Sequence, residues 1–356
     1  MSRIALVMIA RNEERCIARC LESAAAFVDE MIVVDTGSSD ATVAIAAALG
    51  ARVYHFPWID DFSAARNAAL AYSSADWNLI LDADEWIDAG QAPLASHLTS
   101  YVAGQAPFIG LLPVASKFDL QGRVEVAVSW IPRLLPAGVR YRGRIHEQPV
   151  SELARRRVPL AIGHDGYRQD QLQQKRLRNE TLLLRALDEA PADPYLLYQL
   201  GKNYEVYQQY GQAVDYFDRA LQAVRREDAL RHDVVLRMLF SLKQAGQHQR
   251  AIQFAEDEMP NWQHSPDFFF VLGDVLLDWA TLNPASAQQQ LLPMVESCWL
   301  KCLELGEQPA LAGAVAGRGS HLAAHNLAVL YDGLGDTSQA AHYRALASPP
   351  AMHGAD

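Results

Sequence analysis

Asp82-Ala83-Asp84 follows an apolar run, Trp77-Asn78-Leu79-Ile80-Leu81, and is the segment of this sequence best suited to chemistry. Two carboxylates in one apolar-flanked turn repel each other unless a proton or a cation intervenes. A hard divalent ion that also reaches phosphate oxygens resolves that conflict well. The same letters also make a surface turn with an Asp cap, and the upstream chain decides between the two readings. Asp35 ends a second apolar run. Asp40, in Asp35-Thr36-Gly37-Ser38-Ser39-Asp40, reads as a helix cap.

The elements that must position these residues are legible as alternating periods. β-type runs at Arg3 to Ile9, Glu30 to Asp35, Arg52 to Phe56 and Trp77 to Leu81 alternate with amphipathic helical runs at Glu13 to Phe27, Asp40 to Leu49 and Phe62 to Ser73. This is the pattern of a parallel sheet with crossover helices. Ligands of such sheets sit at the carboxyl ends of the strands, where Asn12, Asp35 and Asp82 fall. Past Asp88 the runs lengthen: Phe108 to Phe118, Val124 to Leu135, Arg140 to Val150 and Val158 to Ile162 predict a mixed-sheet half on the acceptor side.

From Tyr167 onward the period is helical. In Pro194 to Ala220, the residues Leu200, Gly201, Tyr204, Ala213, Phe217 and Ala220 fall at the small and large packing positions of the tetratricopeptide template, with Leu197 in place of the usual Trp. A weaker copy has Leu239, Leu242, Gly246 and Ala251. Another starts at Leu272-Gly273 and Leu276 and is interrupted near Pro284 to Pro293. A late copy at His321 to Ala347 keeps Leu327, Ala328, Tyr331, Gly335, Ala340 and Ala347. Small residues let paired helices approach while large ones fill the gap, and stacked pairs form a concave surface that suits a peptide. The alternative is that these helices brace the first half or form a homodimer. The expected domains are therefore residues 1–166 and 167–356.

Composition bounds the rest. A chain of 356 residues, half of them hydrophobic, can bury two cores. Forty-two acidic against 31 basic residues give a net charge of −11, which disfavours a nonspecific grip on nucleic acid. The exception is the basic run Arg140, Arg142, Arg144, Arg155, Arg156 and Arg157, which reads as a solvated surface or as a face for an anionic substrate. No apolar stretch nears the ~20 residues of a membrane helix, and the first residues read as a strand, so a cytoplasmic location is expected. Cys16 with Cys20, and Cys298 with Cys302, are spaced for one helix face and read as core rather than as zinc ligands or disulfides.

Four segments, Ala10-Arg11-Asn12-Glu13-Glu14, Val33 through Thr42, Trp58 through Asn67 and Trp77 through Glu85, together resemble family 2 glycosyltransferases in order and spacing. The resemblance covers about the first half of the chain. It implies an α/β GT-A domain, a nucleoside-diphosphate sugar donor such as a UDP-sugar, Mn²⁺ or Mg²⁺, and inverting displacement at the anomeric carbon. By position, Asp35 would bind the nucleoside, Asp82 the ribose or metal, and Asp84 the metal. Arg66, in the Ala65-Arg66-Asn67 segment, would lie near the diphosphate. Asn12 and Asp61 take further pocket positions. His164 occupies a place where related transferases put a histidine on the metal.

An inverting transfer also needs a base, for which Asp119, Glu125, Glu147, Glu152 and Asp165 are candidates. Gly143-Arg144-Ile145-His146-Glu147 resembles the segment that accompanies the Asp82-to-Glu85 ending in one subgroup. That likeness makes His146 and Glu147 the acceptor-side pair. The helical tail resembles that of bacterial peptide S-glycosyltransferases and implies a peptide or protein acceptor. The first half alone equally resembles lipopolysaccharide-core transferases, and a third reading is a repeat scaffold carrying a degenerate transferase domain. Trp58, Trp77, Trp86 and Trp130 are candidate sugar-stacking rings or core.

Overall fold

A computed structural model describes residues 2–88, 102, 104–120, 123–164 and 169–348. The chain divides into two compact units, Met1–Ala186 and Leu187–Asp356. Tyr167, where the helical period begins, lies outside the described residues.

Among the described residues, the first unit is built on a mixed sheet of nine strands. Its parallel half is β1 (Ile4–Ala10), β2 (Glu30–Asp35), β3 (Arg52–His55) and β4 (Trp77–Ile80), in the order β3-β2-β1-β4. The crossovers are α1 (Ile17–Ala24), α2 (Thr42–Ala48) and α3 (Phe62–Ala71). Ile4, Leu6, Met8, Val33 and Leu79 pack into one core with Ile17 and Leu21 of α1. On the other face Ala5, Val7, Ile32 and Val34 pack with Ala69 and Leu70 of α3. Burial on both faces explains why these strands are apolar throughout rather than alternating.

The sheet then changes direction. β7 (Arg123–Pro136) runs antiparallel to β4 and to β6 (Ile109–Leu120). Beyond them lie β11 (Ile162–His164) and β5 (Glu85–Ile87), and β10 (Arg155–Arg157) pairs with β6. A separate two-stranded ribbon is formed by β8 (Arg140–Arg142) and β9 (Gln148–Val150). Two expected runs are thus divided. Arg140 to Val150 turns back on itself because Gly143 (φ +106°) and His146 (φ +52°) take the left-handed region. Of Val158 to Ile162 only Ile162 is strand, the first residue of β11; the rest is the gap after β10, where Pro159 cannot donate to a ladder.

The second unit is helical. Pairs of helices follow one another: α5 (Pro194–Val206) with α6 (Tyr210–Ala223), α7 (Leu230–Gln244) with α8 (His248–Glu258), α9 (Pro266–Leu282) with α10 (Leu292–Leu305), and α11 (His321–Leu334) with α12 (Thr337–Leu346). The preceding long helix, α4 (Gln169–Glu189), carries the boundary between the units. The template's small residues do what the pattern requires. A Cβ on Gly201 would come within 2.4 Å of the Phe217 ring, and one on Gly273 within 2.5 Å of the Trp299 indole. Between α9 and α10 the interrupted stretch forms a π-helical turn at Ala287–Leu291. All four cysteines are buried and free. The α/β first half and the helical-repeat second half agree with the fold class read from the sequence.

Candidate functional site

Because β1, β2 and β4 are parallel and in register, their carboxyl ends bring Asn12, Asp35 and Asp82 to one edge of the sheet. The two loops there clamp each other. Asn12, at φ +56°, donates its backbone N–H to Ser38 Oγ at 2.9 Å and accepts the Ser39 N–H on Oδ1 at 2.8 Å. Asn is among the few side chains that tolerate this conformation. Asp35, 5% exposed, accepts the N–H groups of Gly37 (3.1 Å) and Ser38 (3.0 Å). Burial pushes its pKa up, but the hydrogen bonds from Ser38 and Gly37 outweigh that and hold it below the ordinary carboxylate value. Asp40 accepts the Thr42 N–H at 3.0 Å from one residue ahead of the N-cap, which is Ala41 rather than the Asp40 read from the sequence.

Arg66 lies on the buried face of α3 with Ala65, Ala69 and Leu70. Its Nε donates to Glu147 Oε1 at 2.5 Å and its Nη2 to Asp82 Oδ1 at 2.7 Å. Arg133 approaches Asp82 from the other side, its Nη2 reaching Asp82 Oδ2 at 2.7 Å and Glu85 Oε1 at 2.5 Å. The result is a chain of alternating charge, Glu147–Arg66–Asp82–Arg133–Glu85. Arg66, Arg133 and Glu85 are 8%, 7% and 3% exposed. Burial works against the charge of Asp82, yet Arg133 and Arg66 together hold its carboxyl well below the usual range. Glu85 is pushed up by burial, which Arg133 only partly opposes. The Asp82 side chain remains 37% exposed, so solvent reaches it although both of its oxygens are held.

Asp82 and Asp84 therefore point to different partners. The β5–β11 ladder sets Glu85 opposite His164, and His164 Nε2 lies 3.5 Å from Asp84 Oδ2. Burial lowers the His164 pKa, but the Asp84 carboxylate raises it by more. Among the described residues no group of three or more His, Cys, Asp or Glu side chains is arranged to hold a metal. Asp84 and His164 offer one hard oxygen and one imidazole nitrogen, a donor pair that Mn²⁺ accepts, whereas Asp82 is already engaged by two guanidinium groups.

Asn67 fastens the β8–β9 ribbon to α3: its Nδ2 donates to the Tyr141 carbonyl at 2.9 Å and its Oδ1 accepts the Tyr141 N–H at 2.8 Å. The ribbon delivers Glu147 to Arg66, while the neighbouring His146 is exposed. Asp61 has a local task as well. It caps α3, accepting the Ala64 N–H at 2.9 Å and the Ser63 hydroxyl at 2.8 Å, with Arg144 at 4.0 Å. Of the tryptophans, Trp77 is core at 4% exposure and Trp86 lies between Gly163 and Arg19. Trp58 donates to Asp60 Oδ1 at 2.8 Å, and Trp130 is 38% exposed beside Arg157. Asp165 and the side chains of Asp119 and Glu125 lie outside the described residues.

Neither Arg133 nor Glu85 stands out as a site residue in the sequence alone. One signal was available for Arg133, a lone charge inside the apolar run Trp130-Ile131-Pro132-Arg133-Leu134-Leu135. Its meaning depends on the β4–β7 register. That register pairs Leu79 with Leu134 and so carries Arg133 to the end of β4.

Residues 5–95 match the family model described as glycosyl transferase family 2. A TPR repeat-containing protein of Synechococcus elongatus is 33% identical over 270 residues, which are 71% of this chain and 64% of that protein. The SPbeta prophage-derived glycosyltransferase SunS of Bacillus subtilis is 26% identical over 236 residues, 63% of this chain and 54% of SunS. The chain thus spans between half and two thirds of the length of these relatives. Among solved structures, MamA is 14% identical over 50% of this chain and 90% of its own, with a TM-score of 0.37, too slight a likeness to carry any argument. The segment at residues 5–95 that is similar to glycosyl transferase family 2 holds Asn12, Asp35, Arg66, Asp82 and Asp84 together, and the helical unit follows it.

Proposed function

We propose that the protein is an inverting glycosyltransferase that moves a sugar from a UDP-sugar to the side chain of a peptide or protein presented by the helical unit. The observation that carries this reading is the ionic chain joining Glu147, on the acceptor side, through Arg66 to Asp82 at the strand ends. Asp35 and Asn12 line the same strand-end edge and suit a nucleoside. Asp84 and His164 would hold Mn²⁺ or Mg²⁺. Once bound, such an ion neutralises charge on a departing diphosphate.

This chain's own groups account for the remaining steps. Glu147, 10% exposed at its side chain, accepts the proton of the acceptor hydroxyl or thiol as its oxygen or sulfur attacks the anomeric carbon. The bond from that carbon to the diphosphate oxygen breaks, and the electron pair leaves with the UDP. Arg66 fixes the Glu147 carboxylate and keeps a cation between it and Asp82. Small residues at the helix-pairing positions, such as Gly201 and Gly273, support a stacked-repeat surface for the acceptor.

A second reading, an anionic lipid-linked saccharide as acceptor, is favoured by one observation: Arg155, Arg156 and Arg157 are all exposed along β10. The deciding experiment is isothermal titration of UDP and several UDP-sugars with and without Mn²⁺, on the wild type and on Asp84→Ala. Metal-dependent binding that Asp84→Ala removes is the expected result, and absence of binding to the wild type would refute the donor assignment. A Glu147→Gln variant should keep UDP affinity while losing transfer on the order of 10²-fold or more.

A further inference from the structure

The Glu147 carboxylate is not held by its own loop. Its described anchor is the Nε of Arg66, and the other engaged arm of that guanidinium is on Asp82. Asp82 would swing with Arg66 were it not fixed from behind. The fixing group is Arg133, whose Nη2 holds Asp82 and Glu85 together, while Glu85 Oε2 accepts the Asp82 N–H at 3.0 Å and its own N–H returns to the Asp82 carbonyl at 2.9 Å. Glu85 and Arg133 are almost fully enclosed, on β5 and β7, and belong to the sheet rather than to a loop. The Arg66 Nη1 is buried and finds no partner among the described residues, so the orientation of this guanidinium rests on its two carboxylate contacts.

We propose that Arg133 is a positioning residue for Glu147, acting at two removes through Asp82 and Arg66, with Glu85 as its anchor in the sheet. The inference rests on the reading of Glu147 as the base. A carboxylate that must meet an acceptor hydroxyl or thiol has to be held to within about half an ångström, and rigid elements do this better than loops. The ionic chain transmits the rigidity of β5 and β7 to a residue on the β8–β9 ribbon, which belongs to a separate two-stranded sheet.

The test reads Arg66 directly. In ¹⁵N NMR of the full-length protein, the Arg66 Nε–H gives a protected signal, identified by its disappearance in Arg66→Lys. Arg133→Lys keeps the charge but cannot bridge Asp82 and Glu85 in the same way, and should speed exchange of that proton on the order of tenfold or more. If Arg133→Lys does not fold, Glu85→Gln, which neutralises the anchor without changing its size, should speed exchange by a smaller factor. In the same variants, UDP-sugar turnover should fall more in kcat than KM rises, because the base loses its orientation while Asp82, present but less firmly held, still serves the donor edge.

An Arg66 Nε–H that exchanges at the wild-type rate in folded Arg133→Lys and Glu85→Gln overturns the proposal. So does faster exchange with unchanged kcat. A wild type that binds no UDP in Mn²⁺ sinks the glycosyltransferase reading instead, and the exchange measurement still decides whether the chain of contacts holds Arg66.

Discussion

The two units differ in what occupies their tightest contacts. In the first, Arg66, Arg133, Glu85 and most of Glu147 lie under the carboxyl ends of the sheet, each bound to a partner of opposite charge. In the second, the positions where neighbouring helices approach most closely are filled by size alone, with Gly201 beneath Phe217 and Gly273 beneath Trp299. Enclosed ion pairs occur in the helical unit too, as where Arg231 meets Glu258 with side chains 12% and 9% exposed, but they brace helices, whereas the chain in the first unit ends at the carboxyl edge of the sheet. Apolar packing is non-directional and tolerant. A buried ionic chain is directional and costs several kcal/mol per unpaired ion, so it marks the place where geometry is worth that cost.

The sharpest way to break this comparison is to damage each unit by a similar amount. Asp82→Ala strips two buried guanidinium groups of an acceptor and should cost about 3 kcal/mol, less than for a fully enclosed pair because Asp82 is 37% exposed. Urea unfolding measures it, and UDP affinity should vanish in the same variant. Phe217→Ala removes a fully buried ring and should cost about 3–5 kcal/mol while leaving UDP titration unchanged. Loss of UDP binding in Phe217→Ala would show that the division of labour is wrong.

Gly201→Ala is the smaller version of the same test. Its added carbon would sit 2.4 Å from the Phe217 ring, so a loss of about 1–3 kcal/mol is expected, read as a lower urea midpoint. A midpoint at the wild-type value would mean that α5 and α6 can separate freely, and the tetratricopeptide packing argument would fall with it.

The smallest effect concerns charge inside the helical unit and depends on pH. Asp274, on α9, is raised to about 6 by burial, opposed by Lys243 and Arg318 and reinforced by Asp278, with Asn326 Nδ2 at 3.4 Å. The fold thus favours its protonated form. Its contribution to stability is full below the ordinary carboxylate value of 3.8 and is lost as pH rises through about 6. Asp274→Asn should therefore melt above the wild type at pH 7.5 and level with it at pH 3.5. A difference independent of pH would point to packing instead.

The first unit was legible in the sequence to the extent that its signals were local. Alternating periods located β1 to β4 and α1 to α3 to within a few residues, because strands buried on both faces and amphipathic crossovers leave different traces. The Asp and Asn residues at strand ends followed from the parallel order. The helix pairs at Pro194–Ala223 and His321–Leu346 followed from small residues at fixed spacing. What the letters did not disclose was how the second, antiparallel half of the sheet pairs with the first. A one-residue slip in the β4–β7 pairing would turn Arg133 to the other face.

The sequence by itself determined which side chains are chemically able: Asp35, Asp82, Asp84, Arg66, Glu147 and His164 all carry groups suited to a charged donor, and their types need no fold to be recognised. Only the tertiary structure decided what each one touches. Asp82 and Asp84, two residues apart, go to different partners because β7 brings Arg133 to one and β11 brings His164 to the other. Glu147 meets Arg66 across 81 positions of chain. Such pairings are set by strand register and by a fastened ribbon, and the free energy that selects them comes from the whole core rather than from the residues at the site.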